Sequence, residues 1–467
     1  MKRLLLILVT MGLSACSSGG GDGPSISGKI VLNGVPLAGV VVTVSGAMTA
    51  SAATDSGGYY TVHGVKNGGY SVNPALAGYR FTPAARPTVM SGSNLAGYDF
   101  VATAAPPVTA VLLPRTGQVA TYQPGDDGSL QKGAAWPSPR FADSNNGAVT
   151  DRLTGLIWLK DAACIGRKNW NDALAAANGL ASGICGLSDD SKAGDWRLPN
   201  VTELNSLVNL GRWNPSVGPM QTADTAAPLP FNGVANYSYW SSTTSAALAT
   251  QAWTIHFLFG LVNPPFKKIP FLVWPVRDAA TAGTISLPRT GQRFSYAAGD
   301  DGYHQKGALW PTPRFTDNGN GAFTDNLTKL VWLKDANCTD EAGGQKRIQP
   351  ATPTVSATFS VLRYGQALTW VGALHTGICG LSDGSSSGDW RLPNRLEIQS
   401  LIDYSQGNPA LPFDHLFLSV QAQGIWTATA FTTSSNDSPW FIYPESGVIN
   451  ASTYGSYYLW AVRDGAP

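Results

Sequence analysis

The sequence predicts a multidomain, β-rich protein in which a small all-β sandwich is followed by two α+β domains. Three observations lead to this fold class. Gly (52), Pro (31) and Trp (15) are abundant, while charged residues make up only 13% of the chain, which is typical of loop-rich exported modules. Short β-branched segments separated by glycine turns follow one another near the N-terminus. A long segment recurs later in the chain with its tryptophans and cysteines in the same order.

The first residues are predicted to be an export signal that ends at a lipid-modified cysteine. Two basic residues precede an apolar stretch that is too short to span a bilayer. The sequence Leu-Ser-Ala-Cys that ends at Cys16 resembles the bacterial lipobox, in which the cysteine is diacylated and becomes the mature N-terminus. Several acyl chains anchor a protein stably where a single chain does not. We therefore predict a signal peptide over 1–15, lipidation of Cys16 and a flexible tether over 16–24, and Ser17 indicates the outer membrane.

Residues 25–104 are predicted to form the all-β sandwich. Alternating β-branched segments begin near Ile26, Val40, Tyr59 and Tyr70, and Gly, Asn and Pro turns separate them at regular spacing. The string G-x-P-L-A-G-V-x-V followed by T-D-x-x-G-x-Y resembles the carboxypeptidase-regulatory-like, transthyretin-like sandwich. That resemblance implies a spacer or stalk.

The remainder of the chain is a tandem duplication. Leu113–Gln118 recurs as Leu287–Gln292, and Cys185–Asp189 recurs as Cys379–Asp383. The second copy carries additional residues between its two cysteines, around 341–362. We place the first copy at 111–279 and the second at 287–467.

The duplication predicts two disulfide bonds. With Cys16 assigned to lipid, four cysteines remain, an even number that suits an oxidising compartment and allows three pairings. If both copies share one fold, each closes its own bond. We therefore expect Cys164–Cys185 and Cys338–Cys379, each contributing roughly 3–4 kcal/mol by loop entropy.

Each copy is predicted to be an α+β domain with two helices packed on an antiparallel sheet. In the first copy, Asn145-Asn146-Gly147 predicts a hairpin turn. Helices are expected to begin at Asn169 and at Asn200, where Glu203 is the capping-box partner. Further strands are predicted at 156–159, 239–242, 252–257 and 272–277.

The repeated motifs resemble the Lcl C-terminal domain family. They are F-x-D-N-G-N-G-x-x-T-D-N-L-T-x-L-x-W, G-D-W-R-L-P-N-x-x-E-L-x-S-L, Y-W-S-S-T and a terminal V-R-D. The resemblance covers both copies and implies a C-type-lectin-like fold, binding of sulfated glycans and surface adhesion. The second copy departs from it at 425–428, where Ile-Trp-Thr-Ala replaces Tyr-Trp-Ser-Ser, and neither copy is strongly basic.

Catalysis is disfavoured by the comparison of the two copies. A catalytic group essential to the module should occur in both, yet none of the five histidines is shared. The G-x-S-x-G match at 384–388 sits in a polar loop instead of a strand–turn–helix, and its counterpart lacks the central serine. We predict that the protein is not an enzyme and needs no cofactor, an enzyme on a lectin-like fold being the less favoured reading.

Candidate ligand-binding residues are aromatic or cationic. Most of the shared tryptophans are expected in the core, but Trp240 and Trp426 are candidates for stacking on a sugar ring. Two pairs of loop cations, Lys267-Lys268 and Arg167-Lys168, occur only in the first copy and are candidates for contact with an anionic glycan, although a solvated surface is the alternative.

Calcium is the one metal for which the sequence offers candidate ligands. Asp143 and Asp151, repeated as Asp317 and Asp325, flank the asparagine–glycine turns and could supply carboxylate oxygens. Their spacing is not that of an EF-hand, and such turns need no ion.

The function that these features favour is binding at the bacterial surface. A lipid-anchored outer-membrane protein would present two lectin-like domains for adhesion or for recognition of a glycan or a host-matrix protein. Lys+Arg (31) and Asp+Glu (30) balance, so nothing indicates a nucleic-acid partner. The alternative is a structural envelope component that makes protein–protein contacts only.

Overall fold

The computed structural model divides the chain into two compact units, Met1–Pro106 and Pro107–Pro467. It describes residues 23–76, 79–83, 85–104, 110–212, 214–218, 229–345, 362–413, 415–431, 439–451 and 457–465. The predicted signal peptide, Cys16, nearly all of the tether and most of the insertion in the second copy lie outside the described residues. Among the described residues, no helix is long and apolar enough to cross a membrane.

The first unit consists of two β-sheets that share one apolar core. Its strands are β1 (Ile26–Leu32), β2 (Val35–Pro36), β3 (Val41–Gly46), β4 (Ala50–Ala53), β5 (Tyr59–Val62), β6 (Gly68–Ala75), β7 (Tyr79–Thr82), β8 (Arg86–Met90) and β9 (Phe100–Ala104). One sheet has the order β2-β1-β9-β7 with β5 paired to β1, and the other has the order β4-β3-β6-β8. Alternate residues such as Ile30 on β1 and Val44 on β3 meet in the core.

The first copy folds as short strands and helices. They are α1 (Asp127–Leu130), β10 (Phe141–Asp143), β11 (Ala148–Asp151), β12 (Leu156–Leu159), β13 (Arg167–Lys168), α2 (Trp170–Asn178), α3 (Val201–Ser206), β14 (Ser238–Thr244), β15 (Ala252–His256), β16 (Leu261–Asn263), β17 (Phe271–Leu272) and β18 (Val276–Asp278). Both α2 and α3 pack against β14.

The second copy repeats this order, except that its described residues include no strands that correspond to β13 and β17. Its elements are α4 (Asp301–His304), β19 (Phe315–Asp317), β20 (Ala322–Asp325), β21 (Val331–Leu333), α5 (Tyr364–Gly372), α6 (Arg395–Gln399), β22 (Ile425–Ala430), β23 (Pro439–Ile442), β24 (Ile449–Ala451) and β25 (Val462–Arg463).

The helix starts agree with the expected capping residues. Asn169 caps α2, and Asn200 caps α3 with Glu203 completing a reciprocal capping box. The same box recurs at Asn394 and Glu397 in the second copy. Each box satisfies two backbone N–H groups that a helix start would leave without partners.

Each copy has a four-stranded antiparallel sheet, β10-β11-β12-β18 in the first and β19-β20-β21-β25 in the second. The predicted hairpin joins β10 to β11, with Phe141 opposite Asp151. Gly147 adopts φ +83° in its turn, and a Cβ there would lie 2.4 Å from the carbonyl oxygen of Gly186. Only glycine fits this close approach.

A single eight-stranded sheet runs through both copies, in the order β13-β17-β14-β15-β16-β24-β23-β22. The copies join where Val262 on β16 pairs with Ile449 on β24. The segments 111–279 and 287–467, which we expected as separate domains, are therefore two halves of one compact unit.

Candidate functional site

Both expected disulfide bonds are present in the structure. Cys164 bonds to Cys185 and Cys338 bonds to Cys379. Each bond ties the loop before a helix to the loop after it, and so holds the polar loops of one copy to its sheet.

The expectation that Trp240 and Trp426 stack on a ligand is wrong. Trp240 has no exposed surface and Trp426 is 1% exposed. Their indole N–H groups donate to the carbonyl oxygens of Lys168 and Leu362 at 2.9 and 2.8 Å. Both rings are therefore core, because buried indole faces leave no area for a sugar.

The calcium hypothesis is also wrong for the aspartates that end the hairpins. Asp151 is fully buried and accepts two hydrogen bonds from the guanidinium of Arg140, at 2.9 and 2.8 Å, and a third from the hydroxyl of Thr154. Asp325 and Arg314 repeat this pair. Carboxylates occupied by a buried guanidinium have no oxygen left for a metal ion.

Asp143 and Asp317 are engaged in ion pairs of their own. Asp143 lies 2.6 Å from the ammonium of Lys160, and Asp317 lies 2.6 Å from that of Lys334. These hydrogen bonds lower the pKa of both carboxyl groups. In the described part of the chain, the one group with metal-ligand geometry is Cys338, Asp340 and Cys379, and its two sulfurs are bonded to each other.

The arginine of the Asp-Trp-Arg-Leu-Pro-Asn motif is structural. Arg197 is buried and pairs with Glu203 at 2.6 Å and with Asp278 at 2.9 Å. Asp195, two residues before the arginine, accepts instead from the backbone N–H of Lys192. The arginine fixes the start of α3 against β18.

A cationic aromatic surface lies at the β13 end of the eight-stranded sheet. We define it by four cations, Arg167 and Lys168 on β13 and Lys267 and Lys268 in the loop before β17, together with the aromatic rings that they contact. β13 pairs with β17, and the backbone N–H of Trp170 donates to the carbonyl of Lys267 at 2.9 Å. These contacts bring two sequence segments about 100 residues apart into one surface.

Cations of this surface lie over aromatic rings. The guanidinium of Arg167 is 4.0 Å from the ring centre of Tyr237. The ammonium of Lys267 is 3.7 Å from the ring centre of Trp170 and 5.2 Å from that of Tyr296. Such contacts hold the cations in place. Trp170 is 1% exposed and belongs to the core, so of the two rings beneath Lys267 only that of Tyr296, which is 38% exposed, is accessible to a planar or apolar ligand face.

The cations of this surface form no ion pair with any described carboxylate. Lys168 and Lys268 are exposed. Burial lowers the pKa of Lys267 to about 8, an effect that Asp300 opposes. In a chain whose charges balance, this surface has a local excess of positive charge that can attract an anion.

Exposed apolar side chains border the cations. Phe266 is 45% exposed, Ile269 37%, Phe294 52% and Tyr296 38%. Phe294 and Tyr296 pack edge to face, with ring centres 4.9 Å apart. The surface therefore combines positive charge with accessible aromatic area, the two properties that recognise an acidic sugar.

The sequence identified the cations of this surface but not all of its rings. The ring centres of Tyr237, which directly precedes β14, and of Phe271 on β17 lie 5.8 Å apart. Tyr296 belongs to the N-terminal segment of the second copy, and no local signal assigns it to the first.

A second concavity, of about 560 Å³, lies between the N-terminal segment of the first copy and the body of the second. Its charged lining is internally paired. Lys132 and Arg391 lie 2.6 and 2.8 Å from the carboxylate of Asp464, and Trp390 in its floor is 1% exposed. The cationic aromatic surface is therefore the better candidate.

Similarity to solved structures is limited. The chain is 18% identical to the TIE protein of Bacillus anthracis (18% of this chain, 17% of that chain, TM-score 0.17) and 18% identical to GBS52, the minor pilin of Streptococcus agalactiae (19% and 48%, TM-score 0.16). It is 27% identical to a cohesin–X-dockerin complex chain of Acetivibrio cellulolyticus (18% and 58%, TM-score 0.15). The chain thus spans less than two thirds of each, and TM-scores this low carry no argument about fold. No curated protein matches the chain significantly.

A family match covers both copies. The profile of the Lcl C-terminal domain matches residues 147–277 and 321–463, which include both disulfide bonds, both capping boxes and all strands of the shared sheet. The matched segments make up more than half of the chain, and one lies in each half of the second unit. The chain therefore belongs to the Lcl C-terminal domain family, with two copies of the domain in tandem.

Proposed function

We propose that this protein is a binding protein of the bacterial surface and that its ligand is an acidic carbohydrate bound at the cationic aromatic surface of the first copy. The observation that carries the proposal is the group of four cations without carboxylate partners among the described residues, set beside exposed aromatic rings. Sulfate or carboxylate groups would contact the cations, and the apolar face of a sugar would lie on Tyr296.

Two further parts of the proposal concern fold and location. A C-type-lectin-like fold for each copy is consistent with two short helices packed on a largely antiparallel sheet and a disulfide-tied loop region. Lipidation at Cys16 would place the binding unit at the outer membrane. Mass spectrometry of the protein from cells tests this directly, because an unmodified Cys16 in the mature chain would contradict the anchor.

The ligand is tested on an array that carries sulfated, uronic-acid and neutral oligosaccharides, with the full chain as probe. Binding to the acidic classes is expected, and it should weaken as salt increases, because exposed charges are screened. The double substitution Lys168→Ala with Lys268→Ala should reduce affinity roughly tenfold, or about 1.4 kcal/mol.

A matched control removes two lysines from the first unit instead. Lys29→Ala with Lys66→Ala changes the net charge equally and should leave binding unchanged. Equal binding to neutral and acidic sugars, or equal loss in both double variants, would contradict the proposed site. No glycan binding, together with a single stoichiometric protein partner in cross-linked envelopes, would instead favour a structural role.

A further inference from the structure

The N-terminal segment of each copy crosses to the body of the other copy. We call residues 111–132 arm one and residues 285–306 arm two. The backbone N–H of Val111 in arm one donates to the carbonyl of Leu327 in the second copy at 2.7 Å. The N–H of Ile285 in arm two donates to Leu153 in the first copy at 3.0 Å. The exchange is therefore reciprocal.

A buried aspartate bonds each arm to the opposite body. The carboxylate of Asp127 in arm one accepts from Thr116 of the same arm at 2.6 Å and from Thr429 on β22 at 2.8 Å. Asp301 in arm two accepts from Thr290 at 2.6 Å and from Thr243 on β14 at 2.7 Å. Both aspartates are at most 2% exposed.

A glutamine extends each contact to the sheet backbone. The amide of Gln118 donates to the carbonyl of Ala430 and accepts from its N–H, both at 2.9 Å. Gln292 makes the same two bonds with Thr244, at 2.8 and 3.0 Å. The pairing register of β14 shifts before Thr244, and that of β22 shifts before Ala430. At these two residues the glutamine of the arm therefore supplies the backbone N–H and carbonyl with hydrogen-bond partners.

A lysine closes the rim of each contact. Lys132 in arm one lies 2.6 Å from Asp464 of the second copy, and Lys306 in arm two lies 2.6 Å from Asp278 of the first. The carbonyl of each lysine also accepts from the capping asparagine of the opposite body, Asn394 for arm one. Without the arms, the buried backbone N–H and carbonyl groups of Ala430 and Thr244 would lose the bonds that the two glutamines make with them. Buried polar groups left without a partner destabilise a folded domain.

We propose that the surface covered by each arm is an interaction surface specific for the arm of a second copy of this domain, so that the two copies form one obligate pair. Arm two directly follows the first body in the chain and bonds to that body. Arm one precedes the first body in the chain and bonds to the second body, so that each body holds the arm of the other copy. The bonds at the two sites are equivalent, so a copy without its partner can complete its sheet only with an arm from another molecule.

The test uses the full chain with a protease recognition sequence inserted before Ser138, an exposed residue between arm one and the first body. Cleavage separates the first unit with arm one from the remainder of the chain. We expect the two fragments to co-elute after cleavage. Thr429→Val should weaken their association roughly tenfold to hundredfold, because it removes a buried hydrogen bond to the carboxyl group of Asp127.

Thr243→Val is the matched control, because Thr243 contacts arm two and not arm one. Each threonine hydroxyl also accepts a backbone N–H, from Arg395 or from Val201, so the local damage is the same in both variants. Fragments that separate without denaturant overturn the proposal. So does weakening by Thr243→Val that equals or exceeds the effect of Thr429→Val.

A second measurement does not depend on the inserted sequence. In the intact chain, the pair Asp127→Cys with Thr429→Cys should form a disulfide, seen as a linked peptide after digestion. The pair Asp127→Cys with Thr243→Cys should form none. The opposite pattern would mean that each arm lies on its own copy and would overturn the exchange.

Discussion

Asp127 couples the pairing of the two copies to pH. Its carboxyl group is fully buried, and burial raises its pKa from 3.8 to about 7. The hydrogen bonds from Thr116 and Thr429 oppose this shift without cancelling it. In the unfolded chain the group ionises near pH 4. Between about pH 4 and pH 7, the folded protein therefore holds a proton that the unfolded chain has released.

This difference sets the sign and the size of the effect. Because the folded state binds the additional proton, the free energy of unfolding falls as pH rises from about 4 to about 7, and then levels off. A rise of about three pKa units corresponds to at most about 4 kcal/mol. Asp301 has the same pKa of about 7 and adds a similar contribution.

Asp127→Asn isolates this contribution, because asparagine keeps the acceptor oxygen and never ionises. Urea unfolding at pH 5 and pH 8 should show that the variant gains stability relative to the wild type between these two pH values, by up to about 3 kcal/mol. His256 and His304, whose pKa values are lowered by burial, act oppositely but equally in both proteins. Asp172→Asn, at an exposed residue, is the control. A difference between variant and wild type that is the same at both pH values would refute a protonated Asp127.

Three further predictions concern stability. Cys338→Ser removes the disulfide bond that closes the longer loop and should destabilise the protein by roughly 4 kcal/mol, whereas Cys164→Ser should cost roughly 3 kcal/mol. Thermal unfolding under oxidising conditions measures both losses. The reverse order would contradict the loop-entropy account. Arg140→Ala should destabilise the protein by about 3–5 kcal/mol, because it leaves the buried carboxylate of Asp151 without its ion-pair partner. Lys160→Ala, at a half-exposed ion pair, should change stability by less than about 1 kcal/mol. Similar losses for the two variants in chemical denaturation would contradict the expected difference between a buried and a half-exposed ion pair. Gly147→Ala should lower the melting temperature by several degrees, because a Cβ would meet backbone 2.4 Å away, and an unchanged temperature would show that the turn can relax.

Local patterns predicted much of the structure. The asparagine caps at Asn169 and Asn200, the hairpin at Gly147 and the two disulfide bonds are all present. Each depends on residues close in sequence or on the internal repeat. Caps and turns act through backbone groups a few residues away, so their signal survives without knowledge of the tertiary fold.

The candidate site was only partly visible in the sequence. The cations Lys267 and Lys268 could be named because the second copy lacks them. Trp240 and Trp426 were wrongly assigned to ligand stacking, because the sequence does not show whether a tryptophan shared by both copies lies in the core or on the surface. Only the burial of the ring in the folded structure distinguishes these two cases. The aspartates proposed for calcium pair with basic residues up to 17 positions away, which spacing alone does not reveal.

By itself, the sequence determined that two like copies follow a small β-rich unit, where two helices of the first copy begin and which cysteines pair. Tertiary structure decided that the copies share one sheet and exchange arms. The physical reason is the repeat itself: both arms carry the same threonine, glutamine and aspartate, and both bodies offer a threonine that can receive them. Because the same residues recur in both copies, the sequence does not say which body each arm bonds to, and only the folded chain shows that each arm lies on the opposite body.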